Sequence, residues 1–192
     1  MKLIGLTGGV ATGKSTVARM FKRAGLPVLD ADRFAHAVIK RKKPAYVKIV
    51  RFLGKEILNT RKEIDKGRLA AIIFKDKILR KKVEKIVHPE VWRAIKRKII
   101  AKKKKFIVVE VPLLFEAGWK KKFDIVVVVI CSRKIQRQRC NPKFYNRIAA
   151  QMGISKKAQL ADFIIDNSYS KKKTFAQVKS LLQIIDKGKT AC

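Results

Sequence analysis

Apolar positions along the chain fall into short runs of strand length, separated by longer stretches where they recur at helical spacing. Lys2-Leu3-Ile4-Gly5-Leu6 is the first run, and Val17-Ala18-Arg19-Met20-Phe21 continues at helical spacing. Gly25 and Pro27 end that helix, and Val28-Leu29 reads as a short buried strand closing in Asp30-Ala31-Asp32. From Arg33 to Lys105 the pattern is helical, with breaks at Pro44, Gly54, Asn59, Gly67 and Pro89. It predicts helices over 44–53 and 68–74, and a long segment from Asp76 divided at His88-Pro89. Phe106 to Val111 is the next strand, followed by a loop from Pro112 to Gly118. Ile125 to Ile130 is a continuous β-branched run, as a strand covered on both faces requires. Ser132 is placed to cap a helix presenting Arg133, Arg137 and Arg139, and a second helix from about Phe144 carries Arg147. Phe163-Ile164-Ile165 is the last strand, ended by Asp166-Asn167, and Phe175 to Ile185 closes the chain as an amphipathic helix.

This succession predicts an α/β fold with a buried parallel sheet flanked by helices. A crossover between parallel strands normally needs one helix, so the excess between the second and third strands reads as an inserted lobe, suited to a second substrate. At 192 residues, one domain carrying such an insertion is expected.

The first strand and first helix are joined by Gly8-Gly9-Val10-Ala11-Thr12-Gly13-Lys14-Ser15-Thr16, which fits the phosphate-binding pattern G-x-x-x-x-G-K-[ST] at every fixed position. Glycines let consecutive backbone N–H groups close on phosphate oxygens, and the helix adds its positive end. Residues Gly9 to Thr16 are therefore expected to bind ATP, with Lys14 reaching the β- and γ-phosphates and Ser15 ligating Mg²⁺. Asp30 and Asp32 stand at the carboxyl end of a strand, where open α/β sheets bind ligands, although either would also serve as a helix N-cap. Glu110 either assists the metal through water or is an ordinary strand-end acid. Asn167 either meets adenine or simply turns the chain, and Phe115 and Trp119 read as packing.

Charge adds one expectation. With 48 Lys and Arg against 14 Asp and Glu, the net charge is +34, in short runs such as Lys40-Arg41-Lys42-Lys43 and Lys102 to Lys105. Such a surface attracts polyanions, so incidental, salt-sensitive nucleic-acid binding is expected. Three cysteines without C-x-x-C spacing and two histidines make no zinc pattern, and point to reduced thiols in the cytoplasm. Gly8-Gly9 interrupts the apolar start, and the longest apolar run, Ile125 to Cys131, is too short for a bilayer, so neither export nor a membrane is expected.

Taken together, Gly5-Leu6-Thr7-Gly8-Gly9 running into Gly13-Lys14-Ser15-Thr16, Asp30-Ala31-Asp32, His88-Pro89, Pro112-Leu113-Leu114-Phe115-Glu116, Arg147-Ile148 with Gln151, and Ala161-Asp162 followed by Ile165-Asp166-Asn167 resemble the dephospho-coenzyme A kinase family. The resemblance runs in family order over nearly the whole chain. It implies a P-loop NTPase-type fold: a core of 1–32, 106–136 and 160–192, a helical acceptor lobe of about 33–105, and a short lid of about 137–151. The implied partners are ATP and dephospho-coenzyme A, with Mg²⁺ as cofactor, and a monomer is the favoured state. By the same resemblance Asp32 orients or deprotonates the ribose 3′-hydroxyl. Lys14 holds the phosphates, Arg139 and Arg147 neutralise the transferred group, and Asn167 lies on the ATP side. Asp32, Arg68, His88, Pro112, Leu113, Leu114 and Glu116 are its acceptor-binding residues.

Between Arg139 and Arg147 the chain has only Cys140-Asn141-Pro142-Lys143-Phe144-Tyr145-Asn146, several residues short of the family's usual stretch. A nucleoside monophosphate kinase would share the phosphate loop, but Asp30-Ala31-Asp32 and Pro112-Leu113-Leu114 count against it. A nucleic-acid-binding protein with a vestigial phosphate loop is the alternative from another class. No aromatic single-strand platform, helix-turn-helix or zinc-finger pattern supports it.

Overall fold

The computed structural model describes residues 1–141 and 151–188. They form two compact units, one of residues 1–30 with those from 103 onward, the other of 31–102.

The first unit is built on a parallel sheet of β1 (Lys2–Gly8), β2 (Val28–Asp30), β3 (Phe106–Glu110), β4 (Ile125–Ile130) and β5 (Phe163–Asp166), in the order β2-β3-β1-β4-β5. Ile4, Leu6, Val108, Val127 and Val129 are fully buried in it, because helices cover both faces. One core packs these strands against Val17, Met20 and Phe21 of α1 (Lys14–Arg23) and Val178, Leu181 and Ile185 of the C-terminal helix. That last helix starts at Lys171, a turn earlier than its apolar stripe predicts, because the Ser170 hydroxyl caps it by accepting from Lys173 N–H.

The second unit holds α2 (Ala31–Val38), α3 (Pro44–Leu53), α4 (Lys66–Lys75) and α5 (Lys77–Ile100) around Ile49, Ile57, Ile64, Leu69 and Val83. Asp65 and Asp76 begin α4 and α5 by accepting two backbone N–H groups each. The Arg68 N–H that Asp65 accepts holds its carboxyl below the ordinary aspartate value, and partial desolvation opposes this. The predicted break at His88-Pro89 does not occur: α5 runs unbroken for 24 residues with Pro89 inside it. Proline forfeits one helical hydrogen bond, a cost of about 3 kcal/mol. Packing of α5 on α2, α3 and α4 along its length offsets that cost.

In the first unit, α6 (Arg133–Arg139) follows β4 as expected, with the Ser132 hydroxyl accepting from Ile135 N–H. A short helix α7 (Ile154–Gln159) precedes β5 and has no counterpart in the predicted pattern. It is too short to show a period. The last helix becomes α8 (Lys171–Asp186). Among the described residues no helix is long and apolar enough to cross a membrane.

Candidate active site

The strand order reverses direction about β1, which is central, with β3 on one side and β4 on the other. Ligands of open α/β sheets bind at such a switch point, outside the carboxyl ends of the strands. The phosphate loop leaves β1 at that end.

The loop's shape follows from where its carbonyls go. Gly9 O accepts from the Thr12 hydroxyl (3.0 Å), Val10 O from Gln136 Nε2 (2.7 Å) and Thr12 O from Asn167 Nδ2 (2.9 Å). In a trans peptide the N–H points opposite its carbonyl. The N–H groups of Val10, Ala11 and Gly13 therefore point away from these partners. Ala11 (φ 61°) and Gly13 (φ 86°) take the left-handed conformation that such an anion-binding nest uses. A Cβ on Gly13 would come within 2.0 Å of Asn167 Nδ2, so only glycine fits there. Gly13 is also the N-cap of α1, offers no side-chain cap, and leads into a first turn without acidic residues. The positive helix end is left for an anionic ligand.

Lys14 and Ser15 converge on one carboxylate oxygen. Glu110 Oε1 accepts from Lys14 Nζ at 2.7 Å and from Ser15 Oγ at 2.8 Å. Glu110 ends β3, in register with Leu6 of β1 and Asp30 of β2. The sequence left this acid undecided; the visible signal was a single carboxylate closing an apolar strand. Arg139, at the end of α6, donates through Nη1 to the Asn167 carbonyl (3.1 Å), and the same atom lies 3.5 Å from where a Gly13 Cβ would stand. A fixed cation is thus brought against the loop. Arg147, the other expected arginine, lies outside the described residues, as does most of the expected lid.

Asn167 enters the site as a strut. It is buried, its amide nitrogen holds Thr12 O, and its Oδ1 accepts from the Thr174 hydroxyl at 3.1 Å. Gln136 is a second strut that no sequence signal distinguished, since a glutamine on a helix between arginines reads as solvated. Cys131 lies beside the loop, its Sγ 4.0 Å from Ala11 O. Burial pushes its thiol pKa up, while the Arg139 charge pulls the other way.

The chain from Pro112 to Glu116 leaves β3 next to this site. Leu114 is fully buried and packs so closely on β1 that a Cβ on Gly5 would lie 2.6 Å from its Cδ1, whereas Leu113 is 43% exposed. Pro112 O accepts from the Thr7 hydroxyl at 3.2 Å, and Glu116 Oε1 from Met152 N–H at 3.0 Å.

The remaining expected residues belong to the helical unit. Asp32 lies exposed in the first turn of α2, two residues past Asp30. Arg68, at the start of α4, donates through Nη1 to the carbonyls of Glu56 (3.1 Å) and Leu58 (2.8 Å), tying α4 to its own unit. His88 sits inside α5 immediately before Pro89.

A dephospho-CoA kinase family model matches residues 2–173. The chain belongs to the dephospho-CoA kinase family. It is 39% identical to a dephospho-CoA kinase of Aquifex aeolicus, over 95% of this chain and 97% of that protein. Among solved structures, dephospho-CoA kinase from Campylobacter jejuni is 29% identical with a TM-score of 0.71, covering 97% of this chain and 98% of that one. TT1252 from Thermus thermophilus is 27% identical with a TM-score of 0.83, covering 95% and 96%. Membership in the dephospho-CoA kinase family makes the chain a transferase with a nucleotide-binding P-loop kinase fold.

Proposed function

We propose that the protein transfers the γ-phosphoryl group of ATP to the ribose 3′-hydroxyl of dephospho-coenzyme A, giving coenzyme A, the last step of its synthesis. The observation that carries this reading is the convergence of Lys14, Ser15 and Glu110 beside the phosphate loop, in a chain of this family.

Phosphoryl transfer passes through a loose transition state with charge spread over the oxygens, so alignment and fixed cations matter more than a strong nucleophile. The amides of Val10, Ala11 and Gly13 cradle the phosphates, and Lys14 exchanges its bond to Glu110 for the β- and γ-phosphates. Arg139 lies beside the loop to neutralise charge, a role that Arg147 shares. Asp32 accepts the proton of the 3′-hydroxyl and aligns it. The family resemblance assigns acceptor binding to the Pro112–Glu116 loop in the first unit and, separately, to Arg68 and His88 in the helical unit.

Mg²⁺ fits the donors present. It prefers hard oxygen ligands, keeps several waters, and is held by one or two protein oxygens together with substrate phosphates. The Ser15 hydroxyl and the Glu110 carboxylate, 2.8 Å apart, are donors of that kind. Ser15 would bind directly and Glu110 through water. When bound, the ion draws charge from the phosphoryl oxygens.

ATP turnover with Mg²⁺ and dephospho-coenzyme A, beside AMP, adenosine and a no-acceptor control with products identified by mass, tests the assignment. Coenzyme A should form with the first acceptor alone. Phosphorylation of AMP instead would reassign the protein to the nucleoside monophosphate kinases.

A further inference from the structure

Lys157 of α7 is fully buried, yet none of the steps above uses it. Its Nζ is 2.9 Å from Glu116 Oε1 and donates to Pro112 O at 3.2 Å. One ammonium thus grips both ends of the Pro112-Leu113-Leu114-Phe115-Glu116 loop. The grip reaches further at each end. Pro112 O also takes the hydroxyl of Thr7, which immediately precedes the phosphate loop, and Glu116 also takes Met152 N–H, at the start of the segment leading into α7.

Stability alone is a poor reason for this arrangement. Removing an ammonium from water costs several kcal/mol, and a buried ion pair is often no better for stability than apolar side chains of the same volume. Methionine would fill the space of the Lys157 stem without that cost. What methionine cannot do is fix two acceptors at once. With Leu114 anchored on β1 and the loop's two ends pinned by one charge, the exposed Leu113 is held at a set height and direction.

We propose that Lys157 is a positioning residue for the acceptor: by bracketing the loop at Pro112 and Glu116, it holds the face carrying Leu113 in the geometry that receives dephospho-coenzyme A. This rests on the reading of that loop as acceptor-binding. Lys157 touches neither substrate and takes no part in proton or phosphoryl transfer.

The test uses Lys157→Met, which leaves a Glu116 carboxylate that still reaches water, with Glu116→Gln and Leu113→Ala as separate variants. Steady-state kinetics with dephospho-coenzyme A, binding of a fluorescent ATP analogue and thermal unfolding are measured for each. For Lys157→Met the KM for dephospho-coenzyme A should rise about tenfold or more, as misplacement of a positioning contact entails. Its kcat should stay within about threefold, and analogue affinity within about twofold. Leu113→Ala should raise the same KM. If Leu113→Ala raises that KM and Lys157→Met does not, the assignment of Lys157 fails while the loop reading stands. An unchanged KM in Leu113→Ala removes the loop reading itself, and the proposal with it. Equal losses for both substrates, or a lower melting temperature with unaltered KM, would show Lys157 to be structural only.

Discussion

The phosphate loop and the helical unit both carry cations of the candidate site, and they hold them differently. At the loop, Lys14 is bonded to a side-chain carboxylate and Arg139 to a single carbonyl of the neighbouring strand end. A phosphate can take over the Lys14 contact without breaking any backbone connection. In the helical unit, Arg68 holds two backbone carbonyls of its own unit, so its guanidinium is part of the scaffold whatever it binds. The contrast separates a poised charge from a fastened one. Substitution at the first should cost rate and leave the fold, and substitution at the second should cost both.

The largest expected effect is at the loop itself. Lys14→Met should lower kcat/KM by about a thousandfold with little change in melting temperature, as expected when a charge aimed at the transition state is lost. Wild-type melting with undiminished turnover would make Lys14 a bystander. Asp32→Asn comes next: turnover should fall by about two orders of magnitude while ATP affinity is retained, the signature of a lost general base. Equal loss of ATP binding would mark Asp32 as a metal-linked or structural acid.

Asn167→Ala sharpens the comparison from within the first unit. It strands Thr12 O, while the Thr174 hydroxyl keeps Ser170 O as its acceptor, so about 1–3 kcal/mol of stability should be lost along with ATP affinity. Denaturant unfolding beside nucleotide titration measures both. For Arg68→Met, a loss of about 0.5–1.5 kcal/mol should accompany a raised KM for dephospho-coenzyme A, since two exposed carbonyls exchange their donor for water. A raised KM at full stability would show Arg68 to be as poised as Lys14.

The smallest effect concerns Cys131. Because burial raises its thiol pKa, the thiolate population at neutral pH lies below that of an ordinary cysteine and grows only as pH rises beyond the usual thiol range. Alkylation at pH 7 should be slow, accelerate on the alkaline side, and slow further with ATP bound over Ala11. Rapid labelling at pH 7 would mean that Arg139 outweighs burial there.

The phosphate loop was legible from nine consecutive residues because its function is a backbone shape, and glycine positions specify backbone shape locally. The strands were legible for a similar reason: a sheet covered on both faces demands continuous apolar runs, and Ile125 to Ile130 supplies one to the residue. Family motifs extended this to the choice of reaction. Three features waited for the tertiary structure. Helix α5 passes through Pro89 because neighbouring helices compensate a local defect, which no local rule registers. The carboxylate of Glu110 meets Lys14 across 96 positions of sequence, and only the pairing of β3 with β1 brings them together. Lys157 would pass for one more solvated lysine among many, and only packing shows it buried against Glu116. Local backbone geometry and apolar periodicity are written residue by residue. The partner of a charge is set by which distant segments the core brings together, and in a chain this rich in lysine that is what distinguishes a working ammonium from a solvated one.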